Sequence, residues 1–301
     1  MPDTNPSLLP ADGPAVAVAG TAGPVTERRV RAGGYTTRYL EAGDPTAPVL
    51  LLLHDGAWGG SSDVTWGAMI PMFAQHYRVL APDLLGFGGT DKVAYFDRAP
   101  HEFRIEHLAA FLRALAVEEP VHVIGNSFGG TIALRALPEA ALPARSVVSI
   151  AGGGGPWRTP LSRQLSRWDG SQADIERILR LLVDDFPGFA EQAANRTRWA
   201  RQPGHFRTMA AIGVTLPEPL KQPRQDSWPA ALATTDVPVL LVQGKRDSLL
   251  EPGWATHIAA AAPRCEVVDL ACKHAPNIDM PHVLLPVLLS FLRRIDRAAA
   301  R

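Results

Sequence analysis

Short apolar runs recur along this chain, each separated from the next by room for a helix. Val49–Leu53 is apolar throughout, and Tyr77–Ala81, Val121–Ile124, Ser146–Ile150, Val237–Val242 and Glu266–Leu270 repeat the theme. Between them, Ile105–Leu115, Trp254–Ala262 and Val283–Ile295 carry apolar residues at the three-to-four spacing of an amphipathic helix. Strands apolar toward both sides, alternating with helices, predict a parallel sheet covered on both faces. Ahead of them, Glu27–Arg31 and Thr36–Glu41 alternate polar and apolar positions around Gly33-Gly34 and predict an antiparallel hairpin. The sum is an α/β fold with a mostly parallel sheet of eight strands.

The alternation stops between Gly154 and Pro229. That stretch carries no strand pattern, while Ser171–Val183 and Phe189–Arg201 have helical spacing. It is too long for a simple crossover, so residues 154–229 are expected to form a helical lid over the C-terminal edge of the sheet. Residues 26–153 and 230–301 then make the core. Residues 1–25, rich in Pro, Ala, Gly and Thr, lack a basic start and a long apolar run. They read as a flexible tail, not a signal peptide.

Composition narrows the function classes. Thirty Lys and Arg balance thirty Asp and Glu, which removes the global field that nucleic acid or an anionic membrane would call for. No apolar run approaches the ~20 residues of a membrane span. The two cysteines, Cys265 and Cys272, form neither a disulfide framework nor a zinc-ligand pattern, so a reducing cytoplasm and no metal are expected. A small-molecule substrate is the expected partner, and a homodimer is left open.

Chemistry enters at Gly125-Asn-Ser-Phe-Gly129, which follows the Val121–Ile124 strand and opens a helical run from Gly130 to Leu137. Strand, G-x-S-x-G and helix is the context of a nucleophile elbow, in which a tight turn lifts Ser127 clear of the sheet. A serine hydroxyl barely ionises at neutral pH and needs a base oriented by a carboxylate. Asp247 follows the Pro238–Gln243 strand, and His274 follows the last strand, each one strand-and-loop unit further on. The other histidines read as surface or helix residues (His76, His101, His107, His205, His257, His282) or as a satisfied sheet residue (His122). The oxyanion would be met by the N–H of Phe128 and by a donor in the loop Asp55-Gly-Ala-Trp-Gly-Gly60, with Gly56 ahead of Ala57. Trp58, Phe128, Trp157 and Trp199 are candidate apolar walls.

Together these residues resemble the α/β-hydrolase superfamily from about residue 27 onward, and within it the meta-cleavage-product hydrolases. Those enzymes cut a carbon–carbon bond in vinylogous 1,5-diketones from aromatic ring fission. Gly125–Gly130, Ala81–Lys92, Arg198–Arg207 and Cys272-Lys-His274 carry the likeness. It implies an α/β-hydrolase fold without cofactor, a substrate contact at Asn126, and lid arginines clamping a substrate carboxylate. Here Asn195 holds the expected arginine place, with Arg196 and Arg198 beside it. Trp199 and Trp157 would complete the substrate wall.

Two further departures bear on the substrate. Asp55 stands where the family usually has Gly, and its carboxylate either points inward and repels the oxyanion or points outward and bonds the loop. Ala275 stands where the family often has Trp, which predicts a smaller wall. The expected activity is hydrolysis through Ser127, Asp247 and His274, with carbon–carbon cleavage of a dienol-dione ahead of a carboxylesterase or lactonase. A non-hydrolytic binder or biosynthetic cyclase is the alternative of a different class.

Overall fold

The computed structural model describes residues 23–211, 214 and 226–299, and eight strands within them join in one sheet. These are β1 (Thr26–Ala32), β2 (Tyr35–Ala42), β3 (Val49–Leu53), β4 (Arg78–Pro82), β5 (Val121–Asn126), β6 (Ala144–Ile150), β7 (Val239–Gly244) and β8 (Cys265–Leu270). Their spatial order is β1-β2-β4-β3-β5-β6-β7-β8. The β1–β2 and β2–β4 pairs are antiparallel, and all the others are parallel. Most of the expected tail, and part of the 154–229 segment, lie outside the described residues.

The helices follow in chain order as α1 (Ser62–Trp66), α2 (Ile70–Phe73), α3 (Glu102–Ala114), α4 (Phe128–Arg135), α5 (Gln172–Leu182), α6 (Phe189–Ala200), α7 (His205–Ala211), α8 (Trp254–Ala261), α9 (Pro276–Asp279) and α10 (Pro281–Ala299). Because strand side chains alternate, each central strand feeds two cores. Leu51 and Leu53 of β3, Val123 of β5 and Leu241 of β7 pack toward α3, α4, α5 and α8. Leu50, Leu52, Ile124 and Leu240 pack on the other face against Trp66, Phe73, Leu288 and Phe291. A leucine as fully buried as Leu51 or Leu52 contributes roughly 1.5–3 kcal/mol. That two-sided burial is why these strands read as unbroken apolar runs.

β8 departs from this pattern. It pairs only with β7, and Glu266, Val267 and Asp269 are exposed, because an edge strand lacks a neighbour and is covered less completely. Between β6 and β7 lie α5, α6 and α7, preceded by a 3-10 helix at Pro160–Ser166. α5 is fixed by Ser171, whose Oγ accepts the Asp174 N–H at 3.0 Å, and it buries Ile175, Ile178, Leu179 and Leu182. Among the described residues no helix is long and apolar enough to cross a membrane.

Two of the histidines read as surface or helix residues lie on helices, α3 and α7, with their side chains buried. His107 Nε2 pairs with Thr37 Oγ1 at 2.8 Å, and His205 Nε2 accepts the Gly59 N–H at 3.1 Å. Each is polar at one edge and flat elsewhere, so the apolar side of a helix tolerates it once a partner is supplied. Burial, reinforced by nearby cations, pushes both from the ordinary 6.5 down to about 4. The unfolded chain therefore takes up these protons near pH 6.5 and the folded chain near pH 4. Stability is fully present above about 6.5 and is lost as pH falls toward 4. Urea unfolding at pH 5 should show a loss on the order of 2 kcal/mol per histidine against pH 7.5, and His107→Gln should flatten that slope. A slope unchanged in the variant would contradict the assignment.

Candidate active site

β5 ends in a turn that the local sequence strains deliberately. Ser127 holds φ +55° and ψ −112°, a conformation a side-chain-bearing residue adopts only when its surroundings impose it. A Cβ on Gly125 would sit 2.2 Å from the Gly129 carbonyl, and one on Gly129 would sit 2.2 Å from the Leu53 oxygen. Glycine at both positions is thus a packing requirement. The Ser127 N–H donates to the Ile150 carbonyl at 2.7 Å, and the Ser127 carbonyl accepts from Thr131 as α4 begins.

The ends of β7 and β8 bring two further side chains to the same edge. Beyond both strands their loops stay hydrogen-bonded, with the Lys245 N–H on the Leu270 carbonyl and the Arg246 N–H on the Cys272 carbonyl. His274 lies with Nε2 2.8 Å from Ser127 Oγ and Nδ1 2.8 Å from Asp247 Oδ2. Both His274 and Asp247 are almost wholly buried. Burial pushes the Asp247 carboxyl up, but the facing His274 and the N–H groups of Leu249 and Leu250 outweigh it and hold it below its ordinary range. A charged Asp247 fixes the imidazole with its proton on Nδ1, leaving Nε2 to receive a proton from Ser127.

Beside Ser127, the loop after β3 abuts the start of α4. A Cβ on Gly56 would lie 2.8 Å from Phe128 Cβ, so only glycine admits this approach. The N–H groups of Gly56 and Phe128 find no acceptor among the described residues, whereas the Ala57 N–H is already given to Asp55 Oδ1 at 2.9 Å. The geometry therefore favours Gly56 over Ala57 as a free donor.

Asp55 points away from the nucleophile. Its carboxylate accepts Arg196 Nη1 and Nη2 at 3.0 and 2.8 Å and Thr65 Oγ1 at 2.7 Å. Both side chains of the pair are almost inaccessible to solvent. Burial opposes its charge, but Arg196 and the hydrogen bonds prevail and keep Asp55 well below the ordinary carboxylate range. His54 donates from Nδ1 to the Asp55 carbonyl at 2.6 Å and accepts the Leu84 N–H at Nε2. With the His205 bond to Gly59, the 54–60 loop is held from α6, α7 and the sheet at once.

Several expected substrate contacts lie elsewhere. A cavity of about 590 Å³ opens on Ser127, His274, Gly56 and Phe128, and Trp157 lines it. Arg196 does not, because Asp55 consumes it. Arg198 is directed outward onto Asn195 Oδ1 and Asp63 Oδ2. Trp199 is buried with its Nε1 on Asp63 and Arg38 stacked on its ring at 4.5 Å. Trp58 is buried among Trp168, His205 and Phe206. Asn126 sits behind the elbow, where its Nδ2 donates to the carbonyls of Ile150 and His274; it positions the histidine loop rather than facing the cavity. Ala275 is buried with its N–H on the Leu182 carbonyl, so its small size does not trim the cavity wall.

The sequence reading missed the other end of the cavity. Arg158, Thr159, Ser162, Arg163 and Ser166 line it from the 3-10 helix and its approach, a segment without helical or strand period. Arg104 was missed as well. It is buried, has no carboxylate partner among the described residues, donates to the carbonyls of Leu85 and Pro100, and lies 5.2 Å from the Phe128 ring; burial pushes it down to about 9.

Residues 50–287 match the alpha/beta hydrolase family. The chain is 31% identical over 289 residues to the 2-hydroxy-6-oxo-6-(2'-aminophenyl)hexa-2,4-dienoic acid hydrolase of Metapseudomonas resinovorans, covering 91% of this chain and 94% of that one. It is 26% identical over 295 residues to a 2-hydroxymuconate semialdehyde hydrolase of a Pseudomonas species, covering 92% and 97%. The solved structure of the 2-hydroxy-6-oxo-6-phenylhexa-2,4-dienoate hydrolase from a Rhodococcus species superposes with a TM-score of 0.79 at 25% identity, covering 91% of this chain and all of that one. With the eight-stranded sheet and its flanking helices, these matches place the chain in the alpha/beta hydrolase family.

Proposed function

We propose that this chain is a serine hydrolase that cleaves a carbon–carbon bond in a dienol-dione of the kind ring fission produces. The reading is carried by the continuous path from Asp247 through His274 to Ser127, opening on a cavity beside two N–H groups that have no acceptor among the described residues. The names of the relatives, which act on 2-hydroxy-6-oxo-hexa-2,4-dienoates, support a carbon–carbon bond over an ester. Helices α5 to α7 serve as the lid.

Ser127 Oγ adds to the substrate carbonyl carbon while its proton passes to His274 Nε2. The carbonyl π pair moves onto oxygen, where the Gly56 and Phe128 N–H groups receive it. A dienol must first move its enol proton to carbon, through His274, so that the departing carbon leaves as an enolate instead of a bare carbanion. Collapse of the intermediate breaks the carbon–carbon bond, and the enolate takes the proton held on His274. Water, deprotonated by the same imidazole, then releases the acyl group as a carboxylic acid and restores Ser127.

The test is decay of absorbance for a panel of dienol-diones beside simple aryl esters. Dienol-diones should be turned over at least 100-fold faster, by kcat/KM, than esters of similar size. Turnover of esters alone would move the chain to the esterase branch.

A further inference from the structure

Two arginines reach the cavity with no acid among the described residues to neutralise them. Arg158 and Arg163 line the same space as Ser127, Phe128 and His274. Among the described residues neither guanidinium has an ion-pair or hydrogen-bond partner, and no Asp or Glu lines the cavity. Both arginines are exposed, and crowding by the protein around Arg158 lowers its pKa.

The hydroxyl groups nearby are already committed as donors. Thr159 Oγ1 donates to the Ser248 carbonyl at 2.7 Å, Ser162 Oγ to the Thr159 carbonyl and Ser166 Oγ to the Arg163 carbonyl, both at 2.8 Å. Among the described cavity-lining side chains of residues 158–166, the uncommitted donors are therefore the two guanidinium groups, whose planar fork suits a carboxylate. Their backbone is anchored where the chemistry is. The Thr159 N–H bonds the Leu249 carbonyl and the Glu251 N–H bonds the Trp157 carbonyl, tying the segment to the loop that carries Asp247. Arg196 and Arg198 are spoken for outside the cavity by Asp55 and by Asp63 with Asn195.

We propose that Arg158 and Arg163 hold a carboxylate of the substrate, at the end remote from the carbonyl that Ser127 attacks, and that Arg196 has no part in it. The inference rests on the hydrolytic reading of this site but not on which bond is cut. It makes the substrate an acid, with its reacting carbonyl and its charge at opposite ends of one cavity.

The experiment compares a dienol-dione acid with its methyl ester, and mono-4-nitrophenyl glutarate with its methyl ester, as ratios of kcat/KM. Wild type should prefer the acid in each pair. Charge-assisted hydrogen bonds lost in Arg158→Gln or Arg163→Gln should lower the ratio roughly 10- to 100-fold, and Arg158→Glu should invert it. Arg196→Met should lower both members of a pair together and leave the ratio in place. An unchanged ratio in the Arg158→Gln, Arg163→Gln double variant with native melting temperature overturns the proposal, as does a ratio that falls only in Arg196→Met. If wild type ignores dienol-diones but its choice among aryl esters depends on the two arginines, carbon–carbon cleavage fails and this inference stands. If dienol-diones are cleaved with an arginine-independent ratio, the reverse holds.

Discussion

Replacing Ser127 with alanine is expected to lower kcat for hydrolysis roughly 10⁵- to 10⁶-fold, the loss typical when the nucleophile of a serine relay is removed. The turn itself should survive, since the strain at Ser127 lies in its backbone and alanine is smaller than serine. Spectra separate the two steps of the proposed reaction. Enol-to-keto conversion depends on His274 and not on the hydroxyl, so Ser127→Ala should still shift the dienol chromophore while releasing no acid. His274→Ala should abolish both. Acid release that persists at the wild-type rate in Ser127→Ala would remove the serine mechanism outright.

The second large effect is structural. Arg196→Met would strand the Asp55 carboxylate in an interior that excludes water, and breaking a buried pair in this way costs about 3–5 kcal/mol. Asp55→Ala should be comparably damaging from the other side. The double variant Asp55→Gly, Arg196→Met removes both charges and should recover most of the stability, giving a coupling of several kcal/mol in a mutant cycle. Acid supplies an independent sign. In the wild type, the contribution of Asp55 is present above its unfolded value near 3.8 and is lost as pH falls toward its lower folded value. In Arg196→Met only the Thr65 and Ala57 hydrogen bonds and His54 still oppose burial, so the folded pKa rises from its wild-type value and the variant loses less stability on acidification than the wild type does. Urea midpoints measured from pH 7.5 to 4.5 check this. Additive single-variant effects, or no narrowing of the gap at low pH, would show that the pair does not carry the loop.

The meeting of the three candidate side chains at one edge was readable in the sequence because each follows a strand, and strand order is written in apolar runs. Ser127, Asp247 and His274 each come one loop after such a run, so topology alone brings them to one end of the sheet. The helices between β6 and β7 were less readable for a geometric reason. One residue along a helix turns the side chain by about 100°, so the step from Asn195 to Arg196 takes a side chain from Asp63 to Asp55. The partner that decides its role lies 141 positions earlier, and no local pattern joins the two. Arg158 and Arg163 were invisible because a short 3-10 helix without buried residues, and the irregular approach to it, leave no period to detect. Histidines 107 and 205 fall on helices, as one of the two readings had it, but their burial was not legible because it depends on a single distant partner, Thr37 in one case and Gly59 in the other.

The loop that carries Gly56 is clasped by residues of α6 and α7, through Asp55 with Arg196 and through Gly59 with His205. This makes the roof and the reaction centre poor candidates for independent exchange. A chimera that receives residues 189–211 from another hydrolase would inherit an orphaned carboxylate at Asp55 and an unanswered N–H at Gly59. Grafting for new specificity in this protein must therefore either carry positions 55 and 59 with the helices or confine itself to the 157–166 flank, whose tie is to the Asp247 loop instead.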